Sequence, residues 1–299
     1  DRSNMPDALE KKSDNLTRVR RAALHVFPGN RFRGINPLAG GVGSRTFMVD
    51  LENEDETRMV VARVHRPEVI SREAMVMEAV GTNGVSVPEV FGHANGVLFT
   101  SHVHGSPSME TAPTNAQMKA TVAELVTIHR TPPPSKLPSA EQRIVAKLAR
   151  VPTVFDEAVY EREVRGALAL HWPPKQSNSP VLLHGDYWPG NLLWEGDRLS
   201  AVIDWEDTGV GDPLFDMANT YRELLWIYGE NAAEGFIKAY TTQHPEVTLA
   251  VLPIWHLAMA LRVAGVMDSW GLSTEERDRF EQRTRRIVEI ALAQLADEG

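Results

Sequence analysis

The hydrophobic pattern shifts in character near residue 104, and that shift limits the possible folds more than any other feature. Up to there the chain is mostly short apolar runs of strand length, with helical stretches among them. Beyond it the apolar residues recur mostly at helical spacing. Residues 7–27 read as an amphipathic helix stopped by Phe27-Pro28-Gly29-Asn30. Strands are expected at Ile35–Ala39, Arg45–Leu51 and Arg58–His65, with the charged run 52–56 joining the last two. Pro67 opens a helix to Thr82, stopped by Asn83-Gly84. Strands at Val90–Ala94 and Val97–Val103 flank the turn Asn95-Gly96. Helices are then expected at Ala116–Arg130, Ser139–Arg150, Thr153–Leu170, Asp212–Tyr228, Asn231–Thr241, Val247–Asp268 and Thr274–Ala296, with a short hairpin inserted near Val181–Asp204. The expected architecture is α+β and two-lobed. Residues 1–104 form a small β-rich lobe with an N-terminal helix, and residues 105–299 a larger, mainly helical one. A ligand cleft is expected between them.

Composition narrows the chemistry. The 299 residues include no cysteine, which excludes disulfides, thiolate nucleophiles, Cys-ligated zinc and iron–sulfur clusters. With 40 acidic and 31 basic residues, the net charge of -9 argues against nucleic acid or an anionic membrane as partner. The most apolar stretch, Val247–Leu261, is interrupted by Pro253 and His256 and meets Arg262; a span needs about 20 apolar residues. The N-terminal residues show no signal-peptide run, so a cytoplasmic location is the expectation.

The strongest chemical signal is His184-Gly185-Asp186-Tyr187-Trp188-Pro189-Gly190-Asn191, after the strand-like run Val181-Leu182-Leu183. A hairpin follows and ends in Ile203-Asp204-Trp205. Its two open ends bring Asn191 close to Asp204, and Asp186 lies one short loop before Asn191. Magnesium takes hard oxygen ligands, usually one or two from protein with phosphate and water completing the shell. Asn191 and Asp204 suit that role, and Asp186 is then left to accept a proton from an attacking hydroxyl. The bland alternative is that all three only cap turns or end a strand.

This segment resembles the catalytic loop of the aminoglycoside phosphotransferase family, small-molecule relatives of the protein kinases. The resemblance implies a protein-kinase-like fold, with Asp186 as catalytic residue and Asn191 and Asp204 as magnesium ligands. The donor would be ATP or GTP and the acceptor a hydroxyl-bearing small molecule. Asp204-Trp205-Glu206 stands where protein kinases carry D-F-G, and Gly211-Asp212-Pro213 through Ala218 matches the family's next motif. Read physically, Asp212 is an N-cap with Pro213 at N1, and Asp216, a turn later, braces the catalytic loop. No long activation segment separates Asp204 from Gly211, which argues against a protein substrate.

Within the first lobe, Gly41, Gly43 and Ser44 lie between two strands. A dinucleotide or Walker loop must open a helix, so a strand–turn–strand over nucleotide phosphates fits better; an ordinary hairpin turn is the alternative. Val60-Val61-Ala62-Arg63-Val64 resembles the kinase strand that presents a lysine, with Arg63 in its place. Arginine can grip phosphate through its planar fork. Glu73 sits on an apolar helix face and needs a partner; the resemblance implies Arg63. It also implies that the backbone around Ser101 and Val103 meets the adenine edge.

His129 and His184 read as packed or bracing residues, and His102 with His104 lacks a third metal ligand nearby. Trp188, Trp226, Tyr228, Trp255 and Trp270, with Glu206, Asp207, Glu223 and Asp268, could line a site for a cationic acceptor, although most suit core or surface. The rival reading, kept open by Arg63, is a catalytically silent nucleotide-binding or regulatory module. The absence of G-x-S-x-G removes an α/β hydrolase.

Overall fold

The computed structural model describes residues 5–38, 46–54, 56–175 and 178–297, with side chains from Asp14 onward. Two compact units emerge, Asp1–Thr82 with Val87–His104, and Asn83–Ser86 with Gly105–Gly299.

In the first unit, helix α1 (Met5–Val26) precedes strands β1 (Arg31–Pro37), β2 (Thr46–Glu52) and β3 (Thr57–Val64). Helix α2 (Pro67–Thr82), β4 (Val90–Ala94) and β5 (Val97–Ser101) complete it. The antiparallel sheet runs β1-β2-β3-β5-β4. Alternation along β2 and β3 puts Phe47, Val49, Leu51, Val60, Ala62 and Val64 on one face, where they pack with Val19, Ala22, Ala23 and Phe27 around α1. All four residues Val97–Thr100 are buried, so β5 is covered on both faces. The first strand begins four residues earlier than its hydrophobic run, because Arg31–Gly34 pair with β2 through a bulge near Gly34. Backbone pairing there does not need apolar side chains.

The second unit carries α3 (Asn115–Arg130), α4 (Ala140–Ala149), α5 (Glu161–His171), β6 (Val181–Leu183), β7 (Leu192–Glu195), β8 (Arg198–Val202) and β9 (Gly209–Gly211). Helices α6 (Leu214–Tyr228), α7 (Glu230–Gln243), α8 (Leu252–Val263) and α9 (Thr274–Asp297) follow. Thr114 caps α3 in a reciprocal box with Gln117, and Ser139 caps α4. Three expectations are corrected. The helix expected over Thr153–Leu170 begins only at Glu161, because Tyr160 takes a left-handed backbone, with φ 51°. The helix expected over Val247–Asp268 is confined to Leu252–Val263, with Pro253 in its first turn and Gly265 at φ 73° beyond its end. And α6 starts at Leu214, after Pro213; Asp212 still caps it, its Oδ1 accepting from the Leu214 amide at 2.9 Å.

The inserted β region also differs from a lone hairpin. β7 and β8 form one, but β6 pairs antiparallel with the distant β9. Among the described residues, no helix is long and apolar enough to cross a membrane.

His256, on α8, has a buried Nδ1 with no hydrogen-bond partner, and its ring tilts against Tyr221 at 4.9 Å. Burial pushes its pKa down to about 4. The unfolded chain therefore takes up this proton near the ordinary histidine value of about 6.5, while the folded chain resists until about 4. Stability is lost as pH falls through that window. Between pH 7 and pH 5 the parent should lose about 2 kcal/mol more than His256→Leu, read from urea midpoints at each pH. Equal losses would show that His256 does not titrate in this way.

Candidate active site

The catalytic-loop segment is pinned from below by one carboxylate. Asp216, in the first turn of α6, is fully buried. Its Oδ2 accepts from the His184 amide and its Oδ1 from the Gly185 amide, both at 2.8 Å. His129 Nε2 lies 3.2 Å from Oδ2, and His129 Nδ1 meets the Tyr240 hydroxyl at 2.6 Å. Burial works to raise the Asp216 pKa, but the His129 hydrogen bond, the nearby imidazoles and the Gly185 amide hold it below the usual carboxylate range. Gly185 has φ 86°, and a Cβ there would lie 1.9 Å from the Asp207 carbonyl oxygen, so only glycine fits.

The His184 ring ties the loop to the metal-ligand candidate. Nδ1 accepts from the Asp186 amide at 3.2 Å, which makes Nε2 the donor to the Ile203 carbonyl at 3.1 Å. The same ring packs on Trp205, with centroids 4.5 Å apart. The Ile203 amide donates to the Asn191 carbonyl at 3.0 Å, closing the hairpin's open end. Asp204 follows Ile203 and lies just past the end of β8, in a left-handed conformation with φ 65°. Asn191 Nδ2 donates to the Asp186 carbonyl at 2.9 Å and reaches Asp186 Oδ2 at 3.3 Å. That commitment of the amide nitrogen leaves Asn191 Oδ1 as the acceptor. An amide oxygen from Asn191 and the carboxylate of Asp204 are hard-oxygen donors of the kind that magnesium takes, with phosphate and water in its remaining positions.

One residue in contact with Asp186 was not singled out from sequence. Arg262, on α8, reaches Asp186 Oδ1 at 3.3 Å and Asp207 Oδ2 at 2.8 Å with Nη2, and Asn219 Oδ1 at 3.2 Å with Nη1. Burial raises the Asp186 pKa; the Arg262 guanidinium opposes the rise, and Asp207 adds to it. Asp207, expected to line an acceptor site, is ion-paired to Arg262 and to Arg143 at 3.6 Å. Asp268 is an exposed partner of Arg277, and Glu223 a buried partner of Arg222 at 2.6 Å.

In the first unit, Arg63 and Glu73 form an ion pair at 3.4 Å, with Glu73 2% exposed. Gly41, Gly43 and Ser44 lie outside the described residues, between the paired strands β1 and β2. The Ser101 amide donates to the Glu89 carbonyl at 2.8 Å, β5 ends at Ser101, and Val103 lies two residues beyond it. His102 and His104 rings meet edge to face at 5.0 Å, and no group of three or more His, Cys, Asp or Glu able to hold a metal ion occurs among the described residues. Trp255 and Trp226 are core residues, and the Tyr228 hydroxyl donates to the Ser108 carbonyl.

Residues 34–250 match the phosphotransferase enzyme family (APH), and the chain belongs to it. It is 37% identical over 78 residues to protein LicA of Haemophilus influenzae, a stretch covering 25% of this chain and 28% of LicA. It is 40% identical over 62 residues to the viomycin phosphotransferase of Streptomyces vinaceus, covering 19% and 21% of the two chains. These matches thus span about a quarter of the curated relatives' length. Among solved structures, a thermostable mutant of aminoglycoside phosphotransferase APH(4)-Ia, in ternary complex with AMP-PNP and hygromycin B, superposes with a TM-score of 0.63 at 18% identity. That match covers 89% of this chain and 96% of the other, and it shows the two-lobe kinase-like fold.

Removing the brace should be costly. Asp216→Ala leaves two buried amides without an acceptor, and the expected loss is about 3 kcal/mol or more in urea unfolding. A loss below about 1 kcal/mol would show that the loop does not depend on Asp216.

Proposed function

We propose that this chain is a small-molecule kinase that moves the γ-phosphoryl group of ATP or GTP to a hydroxyl of a small acceptor. The observation that carries this reading is the convergence of Asp186, Asn191 and Asp204 on one braced loop and hairpin. In the proposed reaction the acceptor oxygen forms a bond to the γ-phosphorus as the bond to the bridging oxygen breaks, and the acceptor proton passes to Asp186. Magnesium, held by Asn191 and Asp204, would neutralise charge on the phosphates. Arg63, oriented by Glu73, would contact the phosphates through its fork, and Gly41, Gly43 and Ser44 are proposed as further nucleotide-binding residues. The backbone around Val103 would receive the adenine edge. Relatives named for phosphorylating antibiotics support a hydroxylated small molecule as acceptor, and a screen of such antibiotics and metabolites for acceptor-dependent nucleotide consumption tests the class. No acceptor-dependent consumption, with intact nucleotide binding, would favour a silent nucleotide-binding module.

Two sets of variants separate the roles. Asp186→Asn should bind magnesium–nucleotide normally while turnover falls about 10²–10⁴-fold. Asp204→Asn should lose magnesium-dependent affinity, partly regained with more metal, and Asn191→Ala should do so more mildly. Calorimetry with and without magnesium distinguishes them; the opposite pattern would exchange the assigned roles. Truncating Arg63 or Glu73 should weaken nucleotide binding, and the two losses should be non-additive in a double-mutant cycle. Additive losses would show that their ion pair has no part in holding nucleotide.

A further inference from the structure

We infer that Arg262 is a positioning residue for Asp186, and that Asp207 and Asn219 are what hold Arg262 in place. The inference rests on the phosphotransfer reading and adds to it a residue contributed by a distant helix.

Each carboxylate oxygen of Asp186 receives one donor. Arg262 Nη2 lies 3.3 Å from Oδ1, and Asn191 Nδ2 lies 3.3 Å from Oδ2. Two donors, one on each oxygen, fix the plane of the carboxylate. Each oxygen keeps a further lone pair, so one remains for the acceptor proton. Both contacts are long, so neither would hold the group alone unless the donor itself were fixed.

Arg262 is fixed. Its shortest contact is to Asp207 Oδ2, at 2.8 Å, and its other terminal nitrogen reaches Asn219 Oδ1 at 3.2 Å. The guanidinium carbon lies 5.7 Å from the centre of the Phe215 ring. Asn219 Oδ1 also accepts from Arg222 Nη2 at 2.9 Å, and Arg222 is paired with Glu223. Asp207 is held in turn by Arg143, which also donates to the Asp207 and Thr208 carbonyls. Three elements therefore meet on one planar cation: α8 supplies it, α6 supplies Asn219 and Phe215, and the β8–β9 connection supplies Asp207. A planar fork can span three acceptors in set directions, whereas an ammonium is a point charge on a flexible stem. The arrangement suits orientation better than simple charge balance, for which Asp207 already has Arg143.

The test uses turnover of magnesium–ATP with water in place of the acceptor, alongside calorimetric nucleotide affinity and thermal midpoints. The chains compared are the parent, Asp186→Asn, Arg262→Met, Arg262→Lys and Asp207→Asn. Arg262→Met should lower kcat about 10- to 100-fold and leave KM for nucleotide within about 2-fold, because the residue orients the base without holding nucleotide. Arg262→Lys should recover only part of the loss. Free guanidinium ion, below concentrations that unfold the parent, should raise the rate of Arg262→Met but not of Asp186→Asn. Asp207→Asn should show the same kcat-only loss in milder form, and it decides the matter if Arg262→Met does not fold. A kcat within 2-fold of the parent for Arg262→Met, or a loss that guanidinium leaves unchanged while the thermal midpoint falls, would overturn the inference. If Asp186→Asn matches the parent, the phosphotransfer reading fails and carries this inference with it. If Asp186→Asn is impaired and Arg262→Met is not, only the inference fails.

Discussion

The candidate site depends on one buried carboxylate. Asp216 accepts two consecutive backbone amides from the loop and a histidine from α3, and it does so with no exposure to solvent. A buried carboxylate without such donors would be protonated or excluded from the core. With them it fixes the backbone at His184 and Gly185, and so the start of the loop that carries Asp186. The His184 ring then extends that rigidity to Ile203, next to Asp204. The chain of constraint runs from helix to loop to hairpin, so residues far apart in sequence meet without a large core between them.

The charges around Asp186 alternate. Arg262 lies between Asp186 and Asp207, Arg143 lies beyond Asp207, and Arg222 lies beside Glu223. Each of these acidic groups has a cationic neighbour, and for the buried Glu223 that partner is a requirement of burial. Their negative charge is largely answered from within the protein.

Much of the fold was legible in the sequence where local chemistry decides it. Pro67 at the start and Asn83-Gly84 at the end bound α2 as written, and Gly84 has the positive φ, 90°, that such a stop needs. The apolar helix face around Glu73 called for a partner, the family resemblance implied Arg63, and the two form an ion pair. The misreadings share a cause: local periodicity continued past a backbone feature that tertiary packing imposes. Tyr160 carries no sequence mark of a left-handed residue, and apolar spacing begins at Val247 although the helix waits until Leu252, with Pro253 in its first turn. The β6–β9 pairing was invisible because Gly209-Val210-Gly211 leaves no strand pattern, and the partnership is set by the loop the two strands enclose. Arg262 was seen only as the end of an apolar run. Its meaning lies in where α8 packs, and no spacing in the sequence reports that.

Asp204 holds a left-handed backbone, which costs a non-glycine residue about 1 kcal/mol and is borne best by asparagine and aspartate. Asp216 carries no such strain and holds the loop together. On the proposed reading the two aspartates stand on opposite sides of a division between shape and chemistry. In a library of variants selected only for folding, position 204 should drift toward glycine and asparagine while position 216 stays aspartate. Under selection for phosphate transfer, both should stay. Sequencing the two pools would separate the residues that keep the molecule folded from those kept at the fold's expense, before any acceptor is known.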